Sequence, residues 1–217
     1  MERRSIVKDQ YLIHNEDCLE TIKSLTDIDY VIFSPADLAN DMEGITNYEE
    51  YWAFMKEVFT GLSGISNIVT LIMTDRKMDG EIVQKHTEAI KIFKDMGWKH
   101  KHHKIWVKSF KSNLFCLNYN HIMTFVSPKH KMPKSAFKLP DVFHFERKQA
   151  QDKSSNFYYP VDLPKTLIEA YTKKGDVVYD PFIGSGTTAL ACIELNRMCI
   201  GSEIVPEIYD ECLENLK

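Results

Sequence analysis

The segment 177–192, VVYDPFIGSGTTALAC, is the feature of the sequence that most constrains its fold. Strand-forming residues lead into a turn with two glycines, and a run of small residues suited to a helix follows. A strand that feeds a helix through a glycine turn is one unit of an α/β sheet, and such turns lie at the carboxyl ends of the strands, where these sheets bind ligands. The sequence therefore predicts a ligand-binding loop late in the chain.

Apolar runs typical of strands alternate along the rest of the chain with segments of helical periodicity. The predicted strands are 11–14, 29–33, 67–73, 103–107, 121–127, 176–179 and 198–203. The predicted helices are 16–25, 48–62, 80–96, 163–173, 185–195 and 206–216. Segment 128–156 contains three prolines and no sustained period, which indicates a loop or a small appended element. The alternation predicts the α/β class, with helices on the faces of a sheet.

Length and composition are those of one ordinary globular domain. The chain has 217 residues, enough to bury a core. We expect an intracellular protein, neither secreted nor in a membrane, because no window has the roughly eighteen apolar residues of a membrane span and MERRSIVKDQ lacks a signal-peptide core. The five cysteines include no C-x-x-C pair, so we expect reduced thiols and no metal site.

Charge is distributed unevenly along the chain. The formal net charge is −4, yet the stretch 99–138 holds nine lysines and five histidines without one acidic residue. The rest of the chain carries the other 18 of the 27 basic residues and all 31 acidic ones. A basic segment of this kind predicts contact with a polyanion, and lysine on phosphate makes such binding sensitive to salt.

Two phosphate-binding interpretations of the glycine turn can be compared. A Walker loop needs a lysine after its last glycine, but Gly186 is followed by Thr187 and Thr188, which excludes this class. A dinucleotide fingerprint needs a third glycine at position 189. That position is Ala189, and such sites sometimes accept alanine there. The loop by itself therefore does not exclude a nucleotide-dependent oxidoreductase.

A third interpretation uses the acidic residue that begins the turn. Asp180 ends the strand, and Glu203 ends the next strand, twenty-three residues further along the chain. A carboxylate in the second position can bind both hydroxyls of a ribose. An acid in the turn repels a pyrophosphate but suits a nucleoside with a cationic tail, which describes S-adenosylmethionine.

These motifs resemble those of the DNA amino-methyltransferases, which methylate cytosine N4 or adenine N6. DPFIGSGTT, with NFYYPVDLPKTLIEAYTKKGDVVYDPF leading into it, resembles the cofactor segment of that family. EDCLETIKSL with DYVIFSP resembles the segment of its catalytic motif, and HKIWVK and NHIMTFVSPK resemble its late strands. The resemblance leaves mainly 128–156 unmatched. The order of the segments along the chain is that of the β class of this family, in which the catalytic motif comes first and the cofactor loop last.

The resemblance implies a fold, a domain plan and a set of cofactor contacts. The implied fold is a circularly permuted, Rossmann-like class I methyltransferase sheet with a very small recognition element. We expect a single domain over 1–217, with a catalytic half at 1–127, a basic element at 128–156 and a cofactor half at 157–217. For Asp17, the alternative to a cofactor contact is that its side chain caps the helix that follows it. The cofactor residues that the resemblance implies are Asp17, Tyr159, Pro160, Asp180, Pro181, Phe182, Gly184, Ser185, Gly186, Thr187, Thr188 and Glu203.

The catalytic motif is SPAD, where the family has [DNS]-P-P-[YFW]. Ser34 and Pro35 match, whereas Ala36 replaces the second proline and Asp37 replaces an aromatic residue that stacks on a flipped base. Asp37 could itself accept the amino proton, with the stacking ring supplied by Tyr119 or Trp106. The chain could instead be an inactive partner of an active homologue, or Ala36 could stand in place of a natural proline.

The serine favours cytosine N4 over adenine N6. Cytosine C5 methylation is excluded because no cysteine follows a proline. The expected function is therefore restriction-modification-type DNA methylation on a duplex with a flipped base, with RNA as an alternative substrate. The small recognition element predicts either recognition of a short site or help from a second subunit, which would be another copy or a related methyltransferase. The expected DNA contacts are Lys104, Lys108, Lys111, Asn113, Lys129, Lys131 and Lys134.

Overall fold

The computed structural model describes residues 4–8, 10–36, 45, 47–78, 80–109, 117–145 and 160–217. The strands are β1 Arg4–Lys8, β2 Tyr11–Asn15, β3 Tyr30–Phe33, β4 Ile68–Met73, β5 Arg76–Met78, β6 Glu81–Val83, β7 Lys99–Val107, β8 Tyr119–Val126, β9 Val142–His144, β10 Val177–Asp180 and β11 Met198–Ser202. The helices are α1 Cys18–Ser24, α2 Tyr48–Ile65, α3 Lys85–Asp95, α4 Asp162–Tyr171, α5 Thr187–Leu195 and α6 Pro206–Asn215, with one 3-10 turn at Lys134–Lys138.

Nine strands form one mixed sheet in the order β1-β2-β11-β10-β3-β4-β8-β7-β9. The five strands from β2 to β4 in this order are parallel, and β8 runs antiparallel to both β4 and β7. From β10 the chain proceeds through α5 to β11 on one side, while from β3 it proceeds through α2 to β4 on the other. The strand order thus reverses between β10 and β3, and α/β sheets bind ligands beyond the carboxyl ends of strands at such a point.

Helices cover both faces of the sheet, as the alternating pattern predicted. One core contains residues of α4, α5 and α6, and the other contains residues of α1, α2 and α3. In β4, Ile68 and Ile72 belong to the first core and Val69 and Leu71 to the second, because successive side chains of a strand point to opposite faces. The α/β class is therefore confirmed.

The structure corrects two of the predicted segments. The helix expected over 80–96 begins only at Lys85, because Gly80, at φ 85°, turns a short ribbon between β5 and β6. Ile82, which falls within that predicted helix, lies in β6 and is half exposed. Segment 128–156 was expected as a loop or appended element, yet its residues 142–144 form β9, a parallel edge strand of the main sheet beside β7.

Among the helices of the described ranges, none is both long enough and apolar enough to cross a bilayer.

Candidate active site

The glycine turn is organised around the carboxylate of Asp180, which is fully buried. Its Oδ1 accepts a hydrogen bond from the backbone N–H of Phe182 at 2.9 Å, and its Oδ2 accepts one from the Thr188 hydroxyl at 2.6 Å. One side chain therefore joins the end of β10, the turn and the first turn of α5. Both Asp180 and Thr188 were expected to contact a ligand. In the structure, their hydrogen bonds stabilise the conformation of the loop.

Burial raises the pKa of the Asp180 carboxyl to about 7. The hydrogen bonds from Thr188 and Phe182 oppose this shift, and the negative charge of Glu203 adds to it. Ionisation of Asp180 is consequently balanced near neutral pH. A cation placed near the loop would favour the charged form.

The two positions of the turn require glycine for different structural reasons. Both have positive φ, 53° at Gly184 and 89° at Gly186. Of the atoms in the described residues, a Cβ at Gly184 would meet only the Phe182 carbonyl oxygen within 4 Å, at 3.9 Å, which leaves this side of the loop accessible to a ligand within that part of the chain. A Cβ at Gly186 would lie 2.8 Å from the Cys212 sulfur, so Gly186 lets α6 pack against the turn.

Gly201 of β11 is a further support of the loop that the sequence analysis missed. A Cβ there would lie 2.8 Å from two side-chain atoms of Ile183, whose N–H donates to the carbonyl of Ser202 at 3.0 Å. The turn therefore folds back over β11 at a point where only glycine fits. A glycine just before the end of the neighbouring strand was the available sequence signal.

Glu203 and Asp17 follow the two neighbouring strands β11 and β2. One carboxylate oxygen of Glu203 accepts the N–H of Val205 at 2.9 Å, and its main chain is held by His14 and Asn15. Asp17 Oδ1 accepts the N–H of Leu19 at 2.9 Å, so one oxygen of this carboxylate caps α1, as the helix-cap alternative expected, and the predicted contact with the cofactor stays a prediction. The two acids thus stand at the carboxyl ends of adjacent parallel strands.

A buried chain of hydroxyl groups lies beneath these strand ends. The Tyr179 hydroxyl is 2.9 Å from Ser202 Oγ, which is 2.9 Å from Thr21 Oγ1, and Thr21 donates to Glu16 at 2.9 Å. The chain joins β10, β11 and α1. No periodicity indicates it, because its members are far apart in sequence.

The segment that was predicted to be catalytic lies beside the glycine turn. Ser34 and Pro35 follow β3, which pairs in parallel with β10 through the partners Val31 and Tyr179. The rings of Phe33 and Phe182 lie 5.7 Å apart, so the ends of the two strands are in contact. Pro160 is buried at the start of α4 and accepts the N–H of Leu163 at 3.0 Å. Asp37 and Tyr159 lie outside the described residues.

Two residues that were expected to contact the nucleic acid are buried and form hydrogen bonds within the protein. Lys104 is 4% exposed, and its ammonium donates to the carbonyls of Leu139 and Pro140 at 3.0 and 2.9 Å and lies 3.1 Å from Asp141. The prediction that Lys104 contacts DNA was wrong, because its three donors hold the segment before β9. Trp106 is also buried, at 1%, and donates to the Phe145 carbonyl, so it offers no free face to a base.

The remaining expected DNA contacts divide between two edges of the sheet, one at the carboxyl ends and one at the amino ends of the parallel strands. Lys108 follows the end of β7, on the same edge as Ser34, and Tyr119 begins β8 there. Exposed Lys129, Lys131 and Lys134 come after the end of β8, where the Ser127 N–H donates to Asn67 before β4. Since β4 has six residues, the two edges are about 20 Å apart. Lys111 and Asn113 lie outside the described residues.

The reversal of strand order, the glycine turn and the paired acids are the features with which an α/β sheet forms a ligand-binding crevice at the carboxyl ends of its strands. The chain belongs to the DNA methylase family, whose model matches residues 15–214. This membership sets aside the oxidoreductase interpretation of the glycine turn.

Several named proteins are similar to this chain. The orphan methyltransferase M.BamHII of Bacillus amyloliquefaciens is 31% identical over 142 residues, which are 65% of this chain and 40% of that protein. The type II methyltransferase M.HindIII of Haemophilus influenzae is 49% identical over 57 residues, 26% of this chain and 18% of that protein. The chain thus spans about half or less of the length of the curated relatives it matches.

Solved structures share the fold. The PvuII DNA methyltransferase, described as cytosine-N4-specific, has a TM-score of 0.80 at 17% identity and covers 95% of this chain and 86% of its own. The complex of M1.HpyAVI with SAM has a TM-score of 0.70 at 21% identity and covers 95% and 99%. The fold is therefore that of the class I methyltransferases, as the sequence predicted.

Proposed function

We propose that this chain is a DNA amino-methyltransferase that transfers a methyl group from S-adenosylmethionine to an exocyclic amino group, with cytosine N4 favoured over adenine N6. The observation that carries the proposal is the position of Ser34 and Pro35 beside the glycine turn on neighbouring parallel strands. A methyl donor and an acceptor amine must meet in line, and this crevice brings their two sites together.

The residues at the crevice suit S-adenosylmethionine. When bound, the cofactor supplies an electrophilic methyl group on a positively charged sulfur. Asp180 and Glu203 supply negative charge at this edge, and the open side of Gly184 admits a ligand to the backbone. We assign the ribose to Glu203, the adenine to Asp17, and the methionine portion to the turn from Pro181 to Thr187, with Tyr159 and Pro160 over its far end.

The acceptor chemistry follows from the catalytic segment. An exocyclic amine is a weak nucleophile because its lone pair is delocalised into the base. The Ser34 hydroxyl and the Pro35 carbonyl would accept its two N–H groups and localise that lone pair. We propose Asp37 as a further proton acceptor and half-buried Tyr119 as the ring that stacks on the flipped base.

The DNA would approach the carboxyl edge. We assign phosphate contacts there to Lys108 and Lys111 and base-edge contact to Asn113. Lys129, Lys131 and Lys134 form a separate basic surface at the opposite edge. A duplex seated over the crevice would reach that surface only by passing over the edge of the sheet, so we assign it to a second contact with nucleic acid.

A second candidate function rests on the unusual SPAD segment. The chain would bind cofactor or DNA as the non-catalytic partner of an active homologue, because Ala36 lacks the stiffening ring of a proline and Asp37 cannot stack on a base. The same surface assignments hold in either case. We propose a pair of subunits, another copy or a related methyltransferase, as the working assembly inside the cell.

Methyl transfer to DNA from tritium-labelled cofactor separates these functions. We expect incorporation by the natural chain, at least a hundredfold less by Ser34→Ala, and a gain by Ala36→Pro. Mass spectrometry of the nucleosides would identify N4-methylcytosine. If neither the natural chain nor Ala36→Pro labels DNA while both bind the cofactor in calorimetry, the enzyme proposal fails and the partner function stands.

A further inference from the structure

A cluster of three side chains of metal-ligand type, two buried and one half-buried, lies next to the candidate active site. Asp75 follows β4, His86 lies at the start of α3, and His121 is on β8. Each can place one ligand atom within 4.8 Å of the others. Asp75 and His121 are only 5% and 7% exposed, so water does not solvate this carboxylate freely.

The distances within the cluster are those of groups that converge on one point. His86 Nδ1 lies 2.9 and 2.7 Å from the two oxygens of Asp75, and His121 Nε2 lies 3.4 Å from Asp75 Oδ2. This Nε2 is buried, and its 3.4 Å contact with Asp75 Oδ2 is long for a hydrogen bond. A buried ring nitrogen and a buried carboxylate that share only a long contact would both gain a closer partner from a bound cation.

Neighbouring groups orient these side chains in the way that supports metal ligands. The Nδ1 of His121 lies 2.8 Å from His103 Nε2, which directs the opposite nitrogen toward Asp75. The backbone N–H of His86 donates to Asp75 Oδ1 at 3.1 Å and fixes the carboxylate. The rings of His86 and His121 stack at 3.9 Å and 17°, so a shared ion would tilt them apart, which the partly exposed ring of His86 permits.

We propose that Asp75, His86 and His121 form a binding site for a divalent transition-metal cation of the zinc type. Two imidazoles and one carboxylate are a donor set that such ions prefer, whereas magnesium prefers oxygen ligands alone. Three protein ligands leave a fourth position for water. The site does not depend on the proposed methyltransferase function.

The ion would connect three elements at the carboxyl edge. β4 is the neighbour of β3, which leads into Ser34, and His121 is paired with Met73 at the end of β4. An ion held there would fix the start of α3 to β4 and β8, beside the acceptor side of the crevice. We assign it a structural role, in which it stiffens this edge.

Metal titration of the whole chain tests the site. The protein, freed of metals by a chelator and of any affinity tag, is titrated with zinc chloride and, separately, with magnesium chloride in a calorimeter. We expect one zinc per chain, no magnesium at the same concentrations, and a rise in melting temperature with zinc. Cobalt(II) should show the visible absorption of a four-coordinate site.

Matched variants locate the ion. His121→Ala and His86→Ala should abolish the zinc-dependent rise in melting temperature, and His103→Gln should weaken binding roughly tenfold to a hundredfold. His130→Ala, which changes an exposed histidine outside the cluster, should bind like the natural chain. If His121→Ala does not fold, His86→Ala at the partly exposed start of α3 carries the test. Absence of stoichiometric zinc, or zinc binding unchanged in His86→Ala, overturns the proposal.

Discussion

At the scale of single residues, Asp180 combines burial with two strong hydrogen bonds, and its protonation is therefore linked to folding. The pKa is about 7 in the folded chain against an ordinary value of 3.8. Between these two values the folded state holds more protons than the unfolded state. The contribution of this group to the free energy of unfolding therefore decreases as the pH rises from about 4 to about 7.

This linkage predicts a difference in pH dependence between the natural chain and Asp180→Asn. The natural chain should lose stability relative to the variant as the pH rises from 5 to 8, since asparagine does not ionise. Urea unfolding at a series of pH values measures the difference. A constant difference between the two proteins across this range would contradict the burial of an ionisable carboxyl at this site.

Cofactor binding should respond to the same ionisation. If Asp180 must be charged to bind a cationic sulfonium, affinity for S-adenosylmethionine should increase with pH below 7, by up to about tenfold per unit. S-adenosylhomocysteine is the control, because it keeps the α-amino group, the carboxylate and the adenosine but has a neutral sulfur. Calorimetry from pH 5.5 to 8 compares them, and equal pH dependence of the two ligands would contradict the prediction.

The two glycines of the turn should differ when replaced by alanine. At Gly184 alanine meets only the cost of positive φ, about 1 to 2 kcal/mol, because its Cβ has space. At Gly186 the same cost is joined by a Cβ placed 2.8 Å from Cys212. We expect Gly186→Ala to be the less stable variant in chemical unfolding. If the double variant Gly186→Ala with Cys212→Ala regains no stability, the steric explanation is wrong.

At the scale of elements, Lys104 shows how a basic residue can serve packing. It lies on β7 and connects that strand to the residues just before β9, the edge strand at the end of the sheet. Burial of an ammonium is tolerated there because three acceptors surround it. The edge strand is thus attached by charge-assisted bonds as well as by its own pairing.

Lys104→Met should therefore loosen the segment 134–144. Because hydrogen bonds to charged groups contribute about 1.5 to 3 kcal/mol, we expect a loss of that order in the free energy of unfolding. Hydrogen exchange should increase in β9 more than in β3. The salt dependence of DNA binding should stay unchanged, and a shallower salt slope for this variant would return Lys104 to the DNA surface.

At the scale of the whole molecule, the direction of the strands determines which lysines share an edge with the catalytic segment. The basic stretch 99–138 runs along β7 to the carboxyl edge, returns along β8 and continues at the amino edge. Its charge is therefore divided between two surfaces about 20 Å apart. A single DNA duplex over the crevice would meet only the first.

Salt titration of DNA binding separates these two surfaces. Lys108→Ala should reduce the slope of log K against log salt by about 0.9 if it removes one phosphate contact. Lys131→Ala, at the opposite edge, should leave the slope for a short duplex unchanged. Fluorescence anisotropy over a range of NaCl concentrations measures both. A larger change for Lys131→Ala than for Lys108→Ala would place the duplex on the amino edge.

Local patterns predicted most strands, because their side chains face packed cores on both sides of the sheet and form continuous apolar runs. The exposed ribbon at 76–83 and the strand at 142–144 were not predicted. Ile82 lies on a half-exposed strand of three residues, and β9 owes its conformation to pairing with β7, whose partner residues stand 37 positions earlier in the sequence. Short edge strands depend on a distant partner and leave little periodicity.

The sequence by itself determined the class of fold, and it located the proposed cofactor turn at DPFIGSGTT and the proposed catalytic segment at SPAD, because these depend on local backbone geometry and on residue types within a few positions. Only the tertiary structure decided that Lys104 is buried, that the basic stretch divides between two edges, and that Asp75, His86 and His121 converge. The physical reason is that pairing of distant strands sets which side chains meet, and neither charge nor spacing along the chain records that pairing.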